Sequence, residues 1–593
     1  MKRLKLLLTA CIIAMSSCND LDVPPMNIIT DRDVFTSESG VMSYMARLYR
    51  DLPLQDLDAA VSIQTYTGEA LSRNATPPNV AGNTAGYWNY SHVRNINYFL
   101  QEMPNNAGNF NPGDVDTWLG EAYFMRAYTY FTMTQRYGGV PVVDKVINYL
   151  GQDVEDLRAP RDREVDCYNF VLADLDRAIE LLPPASPQAG RVNRYAAYGM
   201  KARVALWAAS IAKYGTVQLN GLVGVPAERA RDFYQIAYDA AVKTAEGGYT
   251  LYNDGSGDLA ASYTKIFLDQ ASQENIFVRK YKYPEYGHSF DRVAVPWQLR
   301  GPDTYSSYAC PTLDAIEMFD DIDGNPFILN SGTDDAPVLY ADRLDIFAKA
   351  EPRLRGMICF PGDMLKGELI DVRKGIVEEG DAISDFRSTA SFPDTYTGQN
   401  IPGTMTIQGA SGMGYNETTA TGFYLRKWID PNLAKSDVVG GKSVTPWIEM
   451  RYAEILLTRA EAAVELNAYG DASKMSDAVT CIQAIRDRAG AFKKYTTAAE
   501  LTRDLVRRER RMELYYENKT FWDLKRWRIF DQEVFNREWK VLWPIFVWDE
   551  QKYYMKKSLQ TLARVTFQPT YYYLQIPTGE IATNPLLEQN PGY

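Results

Sequence analysis

Histidine is almost missing from this chain. Among 593 residues there are two, His92 and His288. A zinc site built on a histidine cluster is thereby excluded. Any Ser-His-Asp or Cys-His nucleophile would have to use one of the two. Neither has a G-x-S-x-G elbow or a recognisable cysteine partner nearby. Cysteine is also scarce, at six. Beyond Cys11 and Cys18, the others (Cys167, Cys310, Cys359 and Cys481) are far apart and form no C-x-x-C pair. That spacing argues against zinc and for small buried apolar side chains, although one disulfide outside the cytoplasm stays open. Long apolar runs are absent past the N-terminus. The best of them, residues 541–548, is short and contains Pro544, where a spanning helix needs roughly 20 apolar residues. Positive charge is in deficit too, with 63 Lys and Arg against 75 Asp and Glu, which argues against a protein that tracks nucleic-acid phosphates. Gly440-Gly441-Lys442-Ser443 ends like a phosphate loop, but Ser436 stands where the first glycine is required.

The first 18 residues carry an export signal. Lys2, Arg3 and Lys5 precede residues 6–15, which are apolar except for Thr9, and the small Ser16 and Ser17 stand before Cys18. A charged start, a short apolar core and a small-residue cleavage site form a secretory signal peptide, here residues 1–17. Cys18 after the small pair resembles the bacterial lipobox, in which the thiol is alkylated with diacylglycerol and becomes the new N-terminus. Met15 stands where leucine is usual. Residues 18–30 then read as a lipid-anchored tether. Each buried methylene is worth about 0.8 kcal/mol, so several acyl chains make a stable anchor. Cleavage removes three of the 63 cations and none of the 75 acidic residues, for a net charge near −15.

The remaining chain is long enough for several domains, and 46% apolar residues can build a large core. Residues 118–137 place Leu119, Tyr123, Ala127, Tyr130 and Tyr137 close to a 3.6-residue period, then stop at Gly138, Gly139 and Pro141. Residues 195–213, 233–246, 451–466 and 476–488 repeat the style. Small and large core residues mix along them, as in paired helices of tetratricopeptide repeats. Long loops break the repeat period. Residues 253–441 hold Gly, Pro, Asn, Asp, Thr and Tyr without one long helix. A stretch of that length forms its own subdomain or carries function.

Carboxylates are plentiful, yet no pair is singled out as the two of a glycosidase. Asp321-Ile322-Asp323-Gly324 could help hold Ca²⁺ but lacks the full calcium loop, so it reads as a turn, and no cofactor is expected. Residues 507–517 are rich in arginine, but Glu509, Glu513 and Glu517 are spaced by four among them, which suits a structural ion-pair network. The distinctive feature is aromatic density in loops. Tyr281, Tyr283, Tyr286, Phe290, Trp297, Tyr305 and Tyr308 fall within residues 281–308, about twice the chain-wide share of 12%, with Arg292, Gln298, Arg300 and Asp303 between them. A second group is Tyr66, Tyr87, Trp88 and Tyr90, beside Asn74, Asn79 and Asn83. Sugars offer C–H faces bordered by hydroxyls. An aromatic plate takes the face, and an amide, carboxylate or guanidinium takes the hydroxyls.

Several motifs, in this order, resemble the SusD/RagB family of outer-membrane nutrient-binding lipoproteins. They are Trp118-Leu119-Gly120-Glu121-Ala122 running to Tyr137-Gly138-Gly139-Val140-Pro141; Arg451-Tyr452-Ala453-Glu454 with Arg459-Ala460-Glu461; Ile485-Arg486-Asp487-Arg488-Ala489-Gly490, followed by Glu509-Arg510-Arg511 and Phe521-Trp522-Asp523-Leu524; and the tail from Ile576-Pro577 to Asn590-Pro591-Gly592-Tyr593. The resemblance implies an all-α, tetratricopeptide-like scaffold with a loop-rich ligand-binding insertion. It implies an N-terminal part at 31–250, the insertion at 251–445, and C-terminal repeats with a SusD-like tail at 446–593. It implies a surface-exposed protein, held to the outer membrane by lipid, that binds glycan or in some members peptide, cleaves neither, and lies over a TonB-dependent SusC-like importer. Binding residues do not transfer by motif. The resemblance favours aromatics just before a Pro-Thr pair, here Pro311-Thr312, hence Trp297, Tyr305 and Tyr308. The expected glycan contacts are these with Tyr286, Arg300, Trp88, Tyr87, Tyr66 and Asn83.

Overall fold

Six helices follow one another through the first half of the chain: α1 (Glu38–Arg50), α2 (Tyr90–Asn105), α3 (Pro112–Tyr137), α4 (Glu164–Leu181), α5 (Arg194–Tyr214) and α6 (Ala230–Ala245). From α2 onward each packs against the next, the arrangement of a helical repeat array. This computed structural model describes residues 34–593, apart from 58–62, 77, 148–152, 154, 156, 303–304, 389–394, 402–404, 407–417 and 493. The leader 1–17, the tether 18–30 with Cys18, and Asp303 lie outside the described residues.

Local chemistry sets the helix ends. Pro112 opens α3 in its first turn, where its missing N–H costs nothing. Gly138 closes α3 at φ +76°, a conformation open to glycine. Asn193 caps α5 by accepting from the Ala196 N–H. The small residues expected along α5 do allow close approach: a Cβ on Gly199 would lie 2.5 Å from Met450 Sδ. Helices α1 and α4 carry similar amphipathic faces, although the sequence reading assigns neither.

After the insertion the chain returns to the array. Helix α7 (Tyr452–Ala468) packs on α6, and α8 (Met475–Ala489) packs on α7. Helix α9 (Arg503–Glu513) packs against α7, and α10 (Thr520–Arg526) reaches α5. Gly490 ends α8 in the left-handed conformation, φ +68°.

The fold is not all-α, which corrects the expectation. Strands are β1 (Asn275–Arg279), β2 (Leu339–Tyr340), β3 (Gly375–Val377), β4 (Arg387–Ser388), β5 (Trp447–Arg451), β6 (Trp539–Val547) and β7 (Lys552–Gln560), with several shorter pairs. Strands β1 and β5 pair antiparallel. The others form a sheet ordered β4-β3-β6-β7-β2. Its centre is the hairpin β6–β7, in register from Trp539 opposite Gln560 to Val547 opposite Lys552. Pro544 argues against a central strand, yet its carbonyl still accepts from Lys374 N at 2.7 Å, joining β6 to the segment before β3.

The loop-rich stretch packs into a second core that it shares with residues on either side of it in the chain. Trp428 stacks on Trp447 at 5.3 Å and packs against Phe267 at 4.7 Å, among Phe290, Phe347, Phe360 and Phe423. That core also takes in Leu57, Ala70, Tyr515, Tyr516, Leu542 and Met555, so the stretch packs onto the rest of the chain. The arginine-rich run forms the expected ion-pair network, but its partners lie elsewhere in the chain. Glu509 accepts from Arg353 and Arg486, and Glu513 from Arg353, Arg451 and Arg488. All four cysteines in the described residues are free and buried. Asp321 accepts from the N–H groups of Asp323 and Asn325 at 2.9 and 2.8 Å, the turn that its sequence suggested, while Asp323 pairs with Lys349.

Candidate functional site

The aromatic-rich segment leaves β1 and folds into a knot of backbone bonds. Lys282 and Tyr286 exchange N–H···O bonds at 2.9 and 2.7 Å, which turns the chain so that Tyr286 stacks on Tyr281 at 5.2 Å. Tyr281 is buried, and its hydroxyl donates to Asp56 at 2.8 Å. Tyr283 and Tyr286, by contrast, are 53% and 51% exposed.

His288 anchors the next stretch. Its Nδ1 accepts from Phe290 N at 3.1 Å, so Nε2 carries the hydrogen and donates to Thr445 O at 2.9 Å. Both ring nitrogens are thus spent on backbone. Buried Asp291 accepts from Asp430 N at 2.9 Å. Burial pushes its carboxyl up to about 6 against the hydrogen bonds from Ser443 and Asp430.

Beyond the short helix Phe290–Ala294 the chain makes an excursion and returns. Ser307 N donates to Val295 O at 3.0 Å and Tyr308 N to Val293 O at 2.8 Å. These bonds close a loop whose two limbs carry Trp297 and Tyr305, 38% and 46% exposed. Gln298 ties the first limb to Leu369 O at 2.9 Å, and Gly301 N donates to Val438 O at 2.9 Å. Arg292 lies 4.5 Å from the centre of the Tyr305 ring, Arg73 4.7 Å from that of Tyr308, and the two tyrosine rings are 6.0 Å apart. Arg300 is half-buried in the same loop. Within this loop Trp297 and Tyr305 are exposed and guanidinium groups lie against Tyr305 and Tyr308, while the ring contact of Tyr286 is with Tyr281.

The second expected group does not join this set. Tyr87 N donates to the Tyr137 hydroxyl at 3.0 Å, and Trp88 packs edge-on to Tyr137 at 5.1 Å, with Tyr90 at 5.5 Å. Asn83 is exposed in the same turn, its carbonyl accepting from Gly86 N. Tyr66 is half-buried against Phe521 at 5.8 Å. These side chains meet the end of α3 and α10, and no ring contact links them to Trp297 or Tyr305 among the described residues. Sequence reasoning missed Arg73. It is distant in sequence from Tyr308, and only the pairing of Ala70–Leu71 with Cys310–Pro311 brings it there.

Among the described residues no group of His, Cys, Asp and Glu could hold a metal ion, and no helix is long and apolar enough to cross a membrane. A helical repeat scaffold that presents exposed aromatic side chains on a loop suits a binding protein. The SusD family model matches residues 271–593, and a model described as starch-binding associating with outer membrane matches residues 55–206. The chain belongs to the SusD family, whose members are non-catalytic nutrient-binding lipoproteins of the outer membrane that work with SusC-like importers. It is accordingly not an enzyme. It is 23% identical to a SusD-like protein P2 of Formosa agariphila, over the whole of both chains. A SusD-like protein of Bacteroides fragilis has a solved structure with a TM-score of 0.68 at 23% identity, covering 95% of this chain and 99% of its own. A laminarin-binding SusD-like protein aligns at a TM-score of 0.56 and 14% identity, covering 94% of this chain and all of that one.

Proposed function

We propose that this chain is a cell-surface lipoprotein that captures oligosaccharides or polysaccharides and delivers them to a TonB-dependent SusC-like importer. The lipid sits on Cys18, and the glycan lies on Trp297, Tyr305, Tyr308 and Tyr286, with Arg300 and neighbouring polar groups taking hydroxyls. The carrying observation is the excursion closed by the Val293–Tyr308 and Val295–Ser307 bonds, which offers exposed rings at little ordering cost on binding. The laminarin-binding relative, and another solved with a xylogluco-oligosaccharide, support glycan as the ligand class. Tyr66, Tyr87, Trp88 and Asn83 are a secondary contact in this reading. Trp297→Ala is the test. Losing a stacking ring worth about 1.4 kcal/mol weakens binding about tenfold and leaves the thermal melt in place, because the indole is exposed. Unaltered affinity removes Trp297 from the site.

One observation favours a second reading, peptide capture. An apolar groove of about 340 Å³ runs between α1 and β1, lined by Met42, Met45, Leu52, Leu54 and Phe277, and β1 pairs on one edge only among the described residues. An extended peptide could add there as a strand. Screening polysaccharides against peptide digests separates the two readings.

A further inference from the structure

A cleft among α3, α5, α7 and α10 contains more hydrogen-bond donors than its acceptors use. It measures about 80 Å³, has Pro53 and Gln55 in its lining, and shares no lining residue with the aromatic loop. Five cations line it against three carboxylates. The carboxylates are fully engaged. Arg203 donates to both oxygens of Glu454 at 2.8 Å and to Glu449 Oε1 at 2.5 Å. Trp447 Nε1 holds Glu449 Oε2 at 3.0 Å. Arg526 and Arg510 take one Asp523 oxygen each, both at 2.8 Å.

The donors are not fully engaged. Arg136 is 3% exposed, yet its acceptors are neutral: Ala85 O at 2.6 Å, Thr132 O at 2.9 Å and Gln135 Oε1 at 3.1 Å. Its Nη2 has no hydrogen bond among the described residues, and burial pulls the group down to about 10. Arg510, 4% exposed, holds Nη2 at 4.0 Å from Glu454, beyond hydrogen-bond reach. Lys519 Nζ spends one bond on Glu449 O at 3.0 Å and stands 3.6 and 3.8 Å from the two nearest carboxylates. A buried guanidinium without an anionic partner is costly. The Trp522 ring 4.4 Å from Arg136 supplies only a partial substitute.

We propose that this cleft binds a small tetrahedral oxyanion of the phosphate or sulfate class, held by Arg136, Arg510 and Lys519. An anion is what saturated carboxylates and spare cationic donors select, and guanidinium forks match its oxygens. At 10–15 Å³ per water-sized position, the cleft holds roughly five to eight such positions. That admits a tetrahedral oxyanion.

The probe is selenate, a sulfate analogue whose selenium scatters X-rays anomalously. Crystals of the mature chain soaked in sodium selenate are expected to show an anomalous peak within hydrogen-bond reach of Arg136, Arg510 and Lys519. In solution, calorimetric titration with selenate at fixed ionic strength is expected to weaken at least tenfold in Arg136→Gln and in Lys519→Met. The second variant, at a residue that is not fully buried, keeps the test intact if Arg136→Gln does not fold. Peaks confined to the outer surface overturn the proposal, as does equal affinity in the wild type and the folded variants.

Discussion

Arg451 grips Glu517 with a two-bond fork, Nε to Oε2 at 2.8 Å and Nη2 to Oε1 at 2.7 Å, and both side chains are buried. The same guanidinium donates to Glu274 and Glu513 at 2.7 Å. One side chain thus joins the end of β5, the start of β1 and the turn after α9, and so fixes the insertion to the scaffold. Removing one partner of a buried pair leaves the other charge without compensation, at a cost of about 3–5 kcal/mol. Arg451→Met is expected to lower the unfolding free energy by that amount in urea titrations. A loss of about 0.5 kcal/mol, the size of a surface pair, would contradict this role.

Acid acts on the buried carboxyls with two signs. Burial pushes Glu513 up, but Arg488, Arg451 and Arg353 outweigh it and hold the carboxyl at about 2. Its folded value lies below its unfolded one, so its contribution is present above about pH 4.5 and is lost as pH falls toward 2. Glu69 is the opposite case. Burial raises it to about 7 despite hydrogen bonds from Thr520, Tyr516 and Thr67, so ionising it opposes folding. That penalty is absent below about pH 4.5 and reaches about 3 kcal/mol above pH 7. Glu69→Gln is expected to remove this slope from the stability profile between pH 4.5 and 7. An unchanged slope across that window assigns it to other groups.

Gly139 follows the helix-ending Gly138 and meets the chain again at close quarters. Its N–H donates to Leu222 O at 2.7 Å, and a Cβ there would lie 1.9 Å from Asp162 O. A backbone atom cannot swing aside as a side-chain tip can. Gly139→Ala is expected to destabilise by about 1–3 kcal/mol or more, the range for overpacking, read as a lowered melting temperature. An unshifted melt would mean that the Asp162 segment relaxes freely.

The same pair of glycines marks how far sequence reading reaches. Periodicity located α3, α5, α6, α7 and α8, and Gly138 marked an end, because helix stops depend on local dihedral angles. Hairpin β6–β7 was not legible. Pro544 interrupts its apolar run, and the strand is stabilised by partners in residues 375–377 that no local pattern announces. The aromatic platform was legible as a density of rings in 281–308. Which rings are presented was not: Tyr281 and Tyr286 are alike in sequence, but the Asp56 hydrogen bond buries one and leaves the other out. The Trp88 group looked equivalent to the platform until Tyr137 and the tail filled its surroundings.

Arg292 and Arg73 offer a graded test of the platform. Each lies over one tyrosine of the pair Tyr305 and Tyr308, and a cation–π contact at such sites is worth about 0.5–1 kcal/mol. Arg73→Ala and Arg292→Ala are expected to weaken glycan binding about two- to fivefold, with smaller effects than Trp297→Ala. Measuring the three variants with one oligosaccharide checks the ranking. A loss with Arg73→Ala larger than with Trp297→Ala would move the ligand toward Tyr308.

In the proposed function two forces hold this chain at the outer membrane, acyl chains on Cys18 and contact with an importer. Cys18→Ala separates them. Acyl chains contribute about 0.8 kcal/mol per buried methylene and act without any protein partner, whereas contact with an importer needs that barrel to be present. The expected outcome is that Cys18→Ala leaves the membrane fraction while glycan affinity in solution is unchanged, since the platform residues lie far along the chain from the tether. Retention in the membrane fraction only when the importer gene is present would give the contact a larger share than the lipid. Retention in both backgrounds would remove Cys18 as the anchor.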